Sequence, residues 1–138
     1  MVSVKVFVMI KLKVSNEAPS AAQCKATLSS IADALFVIGG KWKLRIIVAM
    51  KEGNKRFNEL QRTIEGISAK VLSAELKDLE LNGFVKRSVF TGTPVVVEYE
   101  LMPYCETLND VLGALSNWGA MHRETVKKSM RSKKAVTA

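Results

Sequence analysis

Glycine cuts this chain into short segments. Gly39-Gly40, Gly53, Gly66 and Gly83 each close an apolar pattern, so no long helix or strand can run through the middle of the sequence. Between these breaks the apolar residues recur every three or four positions. Leu28, Ile31, Leu35 and Ile38 predict a helix from Cys24 to Ile38. Trp42, Ile46, Ala49 and Met50, with Ile47 beside them, predict a second from Lys41 to Lys51. Lys55-Arg56 can form a short extended pairing segment, and Phe57, Leu60 and Ile64 predict a short third helix. Ser68 is placed to cap a fourth, in which Leu72, Leu76 and Leu79 form the apolar stripe, and Asn82-Gly83 stops it.

The pattern then changes period. Residues 84–90 and 95–101 read as two strands joined by Thr91-Gly92-Thr93-Pro94. Val95, Val97 and Tyr99 fall on one side of the second strand; Val96, Glu98 and Glu100 fall on the other. Pro103 suits the start of a last helix, whose broad apolar face holds Leu108, Val111, Leu112, Leu115 and Trp118. Three helices, the last two joined by a tight Gly turn, followed by a hairpin, make the order of a winged helix-turn-helix. The fold class expected is therefore α+β, mostly helical, with a winged helix-turn-helix between flanking N- and C-terminal helices.

With the leucine stripe turned inward, the fourth helix leaves Ser68, Ala69, Lys70, Ser73, Ala74 and Lys77 outside. In a winged helix these residues enter the major groove of DNA. Ser68 and Lys70 lie in the first turn, where free N–H groups favour phosphate. Ser73 is placed for a base edge and Lys77 for the backbone. On the hairpin, Lys86 and Arg87 lie on the first strand, with Thr91 and Thr93 at the tip. Each lysine taken alone is equally an ordinary solvated residue. The same helix also carries Glu75, Asp78 and Glu80, so the arrangement carries the reading, not the charge.

The net charge is +8, and most of the excess lies at the ends. Residues 123–138 hold six basic residues against Glu124, and residues 24–122 are nearly balanced. A basic tail strengthens nonspecific binding to phosphate, but a solvated, disordered tail has the same composition. Residues 123–138 are expected to be such a tail, residues 24–122 the domain, and residues 1–23 an extension and linker. Within the extension, residues 2–14 alternate as a strand does, and Met9 is a second candidate start. The early apolar run Val6-Phe7-Val8-Met9-Ile10 is too short to span a membrane. No membrane association is expected, and the expected compartment is the cytoplasm, with Cys24 and Cys105 reduced.

One histidine and two cysteines cannot fill a structural zinc site, so no metal is expected. No phosphate loop or nucleophile elbow is present, so no cofactor and no enzyme activity are expected. Trp42, Phe57 and Trp118 fit a core better than an effector pocket, and His122 fits an exposed or interface position. A winged helix that binds protein instead of DNA is the competing function.

Seven blocks in one order resemble the HxlR family of winged-helix transcriptional regulators, which are MarR-like. They are Ile38-Gly39-Gly40-Lys41-Trp42-Lys43-Leu44, Arg56-Phe57-Asn58-Glu59-Leu60, Gly66-Ile67-Ser68-Ala69-Lys70-Val71-Leu72-Ser73, Leu76-Lys77-Asp78-Leu79-Glu80, Asn82-Gly83-Phe84-Val85-Lys86-Arg87, Pro94 with Val97-Glu98-Tyr99, and Trp118-Gly119. The resemblance implies a homodimer that binds double-stranded operator DNA of near-palindromic sequence, often under control of a small electrophile, oxidant or metabolite. It maps the recognition helix to residues 68–81 and the wing to 84–101, and it adds Arg56 as a contact to the DNA backbone. It maps the dimer interface to the first and last helices, through Leu28, Ile31, Leu35, Leu108, Leu112, Leu115 and Trp118. Cys24 resembles the family's N-terminal cysteine, a redox sensor in some members, but stands 15 positions before Gly39, further than is usual. Met102 and Cys105 replace the usual Thr and Gly, which makes Cys105 a packed small hydrophobe.

Overall fold

A computed structural model describes residues 20–137. The strand pattern at residues 2–14 lies outside them. The chain divides after Cys105 into two compact units.

In the first unit α1 spans Ala21–Ile38, α2 Lys43–Lys51, α3 Phe57–Thr63 and α4 Ala69–Leu81. A hairpin of β1 (Val85–Phe90) and β2 (Val96–Leu101) follows. α1 starts three residues before the expected Cys24. Ser20 Oγ accepts the Gln23 N–H at 3.2 Å, and Gln23 Oε1 accepts the Ser20 N–H at 3.0 Å. That reciprocal cap satisfies two free donors and draws Ala21 to Gln23 into the helix. At the other end Gly39 N–H donates to Leu35 O at 2.8 Å, and Gly40 takes φ +92°, the left-handed region that favours glycine.

The second and third helices match their apolar patterns. Ile46, Ile47 and Leu60 are completely buried, so Ile47 belongs to the core and not merely beside it. Trp42, expected in the buried stripe, is only half-buried. α3 is capped by its own Glu59, whose Oε2 accepts the Lys55 N–H at 3.1 Å and the Arg56 N–H at 3.4 Å. Those two bonds, the Lys55 one first, hold the Glu59 carboxyl below the usual glutamate range. Lys55-Arg56 form no strand. Lys55 contributes one pairing bond, its carbonyl accepting the Tyr99 N–H at 2.7 Å.

The hairpin is antiparallel, with Val85 opposite Leu101 and Phe90 opposite Val96. Phe84 and Val85 are buried at its root, and the Phe84 carbonyl accepts the Met102 N–H at 2.8 Å. Phe84 stacks on Tyr104 with ring centroids 5.3 Å apart. The expected two-sided pattern on β2 is blurred, because Val96, Val97, Glu98 and Tyr99 are all half-buried. Leu72, Leu76, Leu79 and Cys105 complete the core, with Ile38, Ala49, Met50, Ile64 and Ile67 around them.

Beyond β2 two expectations are corrected. Pro103 opens a 3-10 turn, Pro103–Leu108, and the last helix, α5, begins only at Asn109. Three residues per turn replace 3.6 there, which shifts Leu108 out of phase with the helix that follows. α5 then continues to Thr137. The basic tail at 123–138, expected to be disordered, is helical as far as the structure describes it. Residues 120–138 contain neither Gly nor Pro and are rich in Ala, Lys, Arg and Met, all strong helix formers. Glu124 and Lys127 add an ion pair at 3.6 Å along the helix.

Candidate nucleic-acid interface

The orientation of α4 decides which of its side chains can meet a ligand. Leu72, Leu76 and Leu79 are 0%, 1% and 0% exposed, so the helix has one fixed inner face. Ser68, Ala69, Lys70, Ser73, Ala74 and Lys77 are all exposed. Ser68 Oγ accepts the Val71 N–H at 3.2 Å and so fixes where the first turn begins. The far end closes through Gly83, at φ +79°, with Gly83 N–H on Glu80 O and Phe84 N–H on Leu79 O. Because that stop is tight, β1 follows at once and packs against α4. Helix and hairpin are therefore neighbours.

On the hairpin Lys86 and Arg87 are exposed, as are Thr91 and Thr93 at its tip. Consecutive strand residues point to opposite faces, so Lys86 and Arg87 do not share one. Lys86 stands opposite Glu100 and Arg87 opposite Tyr99. Arg56 is exposed at the start of α3.

Sequence reasoning missed one group. Lys43, the first residue of α2, reaches across to α4. Its Nζ lies 2.7 Å from Glu75 Oε2 and 3.6 Å from Asp78 Oδ2. Nothing in the local pattern of either helix signals that contact, because the partners are more than thirty residues apart. Lys41 Nζ and Arg45 Cζ each lie 4.8 Å from the Trp42 ring centroid. Trp42 is thus a platform for two cations.

The residues read as a dimer face divide. Leu28, Ile31 and Leu35 form an exposed stripe on α1. On α5 Leu115 and Trp118 are exposed and Leu112 is half-buried. Leu108 is 8% exposed and is not a surface residue; its place in the 3-10 turn removes it from the α5 face. Trp118 stacks on His122 with centroids 4.9 Å apart. Cys24 is exposed, whereas Cys105 is buried and burial pushes its thiol up, against a smaller opposing effect of Lys51. By length and composition alone α1, with a mean hydropathy of 1.2 over 18 residues, reaches what a membrane-crossing helix needs. Leu28, Ile31 and Leu35 share one stripe, Phe36 is exposed off it, and the helix carries Lys25 and Asp33. Among the described residues no group of His, Cys, Asp and Glu could hold a metal ion.

Four helices and a hairpin in this order, with an exposed polar face on the capped fourth helix, define a winged helix-turn-helix protein. Residues 37–127 match the family model described as HxlR-like helix-turn-helix. The chain belongs to that family, whose members are transcriptional regulators. It is 42% identical over 93 residues to the uncharacterised HTH-type transcriptional regulator YtcD of Bacillus subtilis, covering 67% of this chain and 74% of YtcD. Among solved structures it is similar to the redox regulator HypR in its reduced form, at 35% identity and a TM-score of 0.66, covering 72% of this chain and 98% of that one. It is also similar to the reduced form of the transcriptional regulator YodB of B. subtilis, at 37% identity and a TM-score of 0.58, over 64% and 87% of the two chains.

Proposed function

We propose that this chain is a cytoplasmic, homodimeric regulator that binds a near-palindromic DNA duplex. The observation that carries the reading is the polar outer face of α4, held outward by three buried leucines beside a hairpin that exposes Lys86 and Arg87. Lys70 and Ser73 read the major groove; Ser68 and Ala69 lie at its entry; Lys77, Arg56, Lys86, Arg87, Thr91 and Thr93 meet the backbone. Two copies joined through Leu28, Ile31 and Leu35 of α1 and Leu112, Leu115 and Trp118 of α5 would present two such helices. Successive major grooves lie about 34 Å apart. No catalysis and no cofactor enter this reading.

The test is a titration of the protein against its own upstream DNA and a scrambled duplex at two salt concentrations. Tight, salt-sensitive binding that prefers the native duplex is expected. Lys70→Ala and Ser73→Ala should weaken binding to that duplex selectively. Arg87→Ala should weaken binding to all sequences and flatten the salt slope. Equal weak binding to both duplexes favours a winged helix turned to protein partners. Leu28→Glu, at a position 64% exposed, should leave the fold intact and give a monomer in ultracentrifugation.

An oxidant or electrophile is the effector class to screen first. Solved relatives include one named as a redox regulator, and Cys24 offers an exposed thiol. Cys24→Ser should abolish any oxidant-induced change in DNA affinity. A wild-type protein that shows no such change removes the sensing role.

A further inference from the structure

The helix proposed to enter the groove is itself acidic. Ala69–Leu81 carries Lys70 and Lys77 against Glu75, Asp78 and Glu80, a net charge of −1. A helix of that charge is repelled by the phosphates it must pass between, unless its carboxylates are answered from elsewhere. Two of the three are answered by one side chain. Lys43 Nζ lies 2.7 Å from Glu75 Oε2 and 3.6 Å from Asp78 Oδ2. The Lys43 and Glu75 side chains are 14% and 22% exposed. Glu75 Oε2 is sealed from solvent, and no hydrogen-bond donor apart from the Lys43 ammonium reaches it among the described residues.

Position on the helix makes this contact relevant to DNA. At 100° per residue the buried leucines occupy one side, Lys70, Ala74 and Lys77 lie opposite, and Ser73 stands about a right angle away on the flank that also carries Glu80. Glu75 lies on the other flank, and Asp78 lies further round, at the edge of the outer face. Asp78 borders the outer face and is exposed, so its charge is on the side that a phosphate backbone would approach, where screening acts over about 10 Å.

We infer that Lys43 is a positioning residue of the DNA interface: it masks the acidic flank of α4 and ties that flank to the start of α2, so that a net-acidic helix can approach phosphate. The inference rests on the DNA-binding reading above. Its hydrogen bond to Glu75 comes first among the causes that hold the Lys43 ammonium above the ordinary lysine value, against the lowering effect of burial. The mask is therefore present throughout the physiological pH range. A lysine that merely stapled two helices would alter stability and leave the affinity of the folded protein unchanged.

The experiment measures affinity of the full chain for its native duplex by fluorescence anisotropy at two salt concentrations, with far-UV circular dichroism to confirm folding. Lys43→Met should bind about tenfold more weakly at low salt, and the deficit should shrink at high salt, as repulsion between charges requires. Lys43→Arg should retain affinity. Adding Glu75→Gln and Asp78→Asn to Lys43→Met should restore affinity to within about threefold of wild type, since neither of the carboxylates that Lys43 masks is then left. A folded Lys43→Met that binds like wild type at both salts overturns the inference. A weakened Lys43→Met that the neutral pair fails to rescue overturns it as well. If Lys43→Met does not fold, Glu75→Gln/Asp78→Asn with Lys43 retained decides: tighter binding than wild type supports the mask, and unchanged affinity refutes it. A wild-type chain that binds no duplex refutes the DNA-binding reading itself, and this inference falls with it.

Discussion

Replacing Leu76 by Ala tests which way α4 faces, and with it which of its residues face outward. Leu76 is 1% exposed, and Leu72 and Leu79 beside it are equally buried. Truncation removes three carbons from a packed site that can collapse only partly. Leu→Ala changes of this kind cost about 3–5 kcal/mol, transfer and cavity together. Leu81 lies on the same helix but is 75% exposed. Leu81→Ala should therefore change stability by less than about 0.5 kcal/mol. Against a total stability of about 5–15 kcal/mol, the first change is a large fraction and the second is nearly invisible. In melting temperature the contrast is a drop of about 10–20 °C against one of a few degrees at most. The assay is urea unfolding followed by circular dichroism at one fixed protomer concentration, because association would add to apparent stability. The midpoint should fall for Leu76→Ala with an unchanged slope. Equal losses from the two variants would mean that the helix is rotated. The outward placement of Ser73 and Lys77 would then be wrong.

Other outcomes follow from single groups. Glu59 has a folded-state pKa below its unfolded value, so its capping contribution is present above the ordinary glutamate value of 4.5 and is lost as pH falls through the lower folded value. Glu59→Gln should therefore flatten that part of the acid dependence of the urea midpoint, and an unchanged dependence would show that the cap is not formed. With an aromatic disulfide reagent, Cys24 should react in the native protein and Cys105 only on unfolding; equal native rates would contradict the burial of Cys105. A Cβ at Gly39 would overlap the Leu35 carbonyl oxygen, which already accepts the Gly39 N–H, whereas a Cβ at Gly83 meets open space and only an unfavourable φ. Gly39→Ala should thus cost more than the 1–2 kcal/mol or so of left-handed strain expected for Gly83→Ala, and the reverse order in denaturant midpoints would refute the packing argument.

The sequence by itself determined the elements and their order, because both rest on local physics. Left-handed stops at glycine, a serine cap before a leucine stripe and a change from helical to strand period act within a few residues. The outward set on α4 was readable for the same reason: once three leucines turn inward, the remainder must turn out. Boundaries were harder. Ser20 and Gln23 extend α1 by a cap that apolar periodicity does not register, and the 3-10 turn hides in a segment that reads as ordinary helix, so the pattern places Leu108 on a surface it does not occupy. The charge of the basic tail suggests disorder, but its backbone propensity favours helix. What only the tertiary structure decided involves residues far apart in the chain. Lys43 meets Glu75 and Asp78 because α2 crosses α4, and no spacing rule links a lysine in one helix to carboxylates in another. Local interactions select the segments; the packing of those segments selects which charges meet, and here that packing brings one ammonium onto two carboxylates of α4.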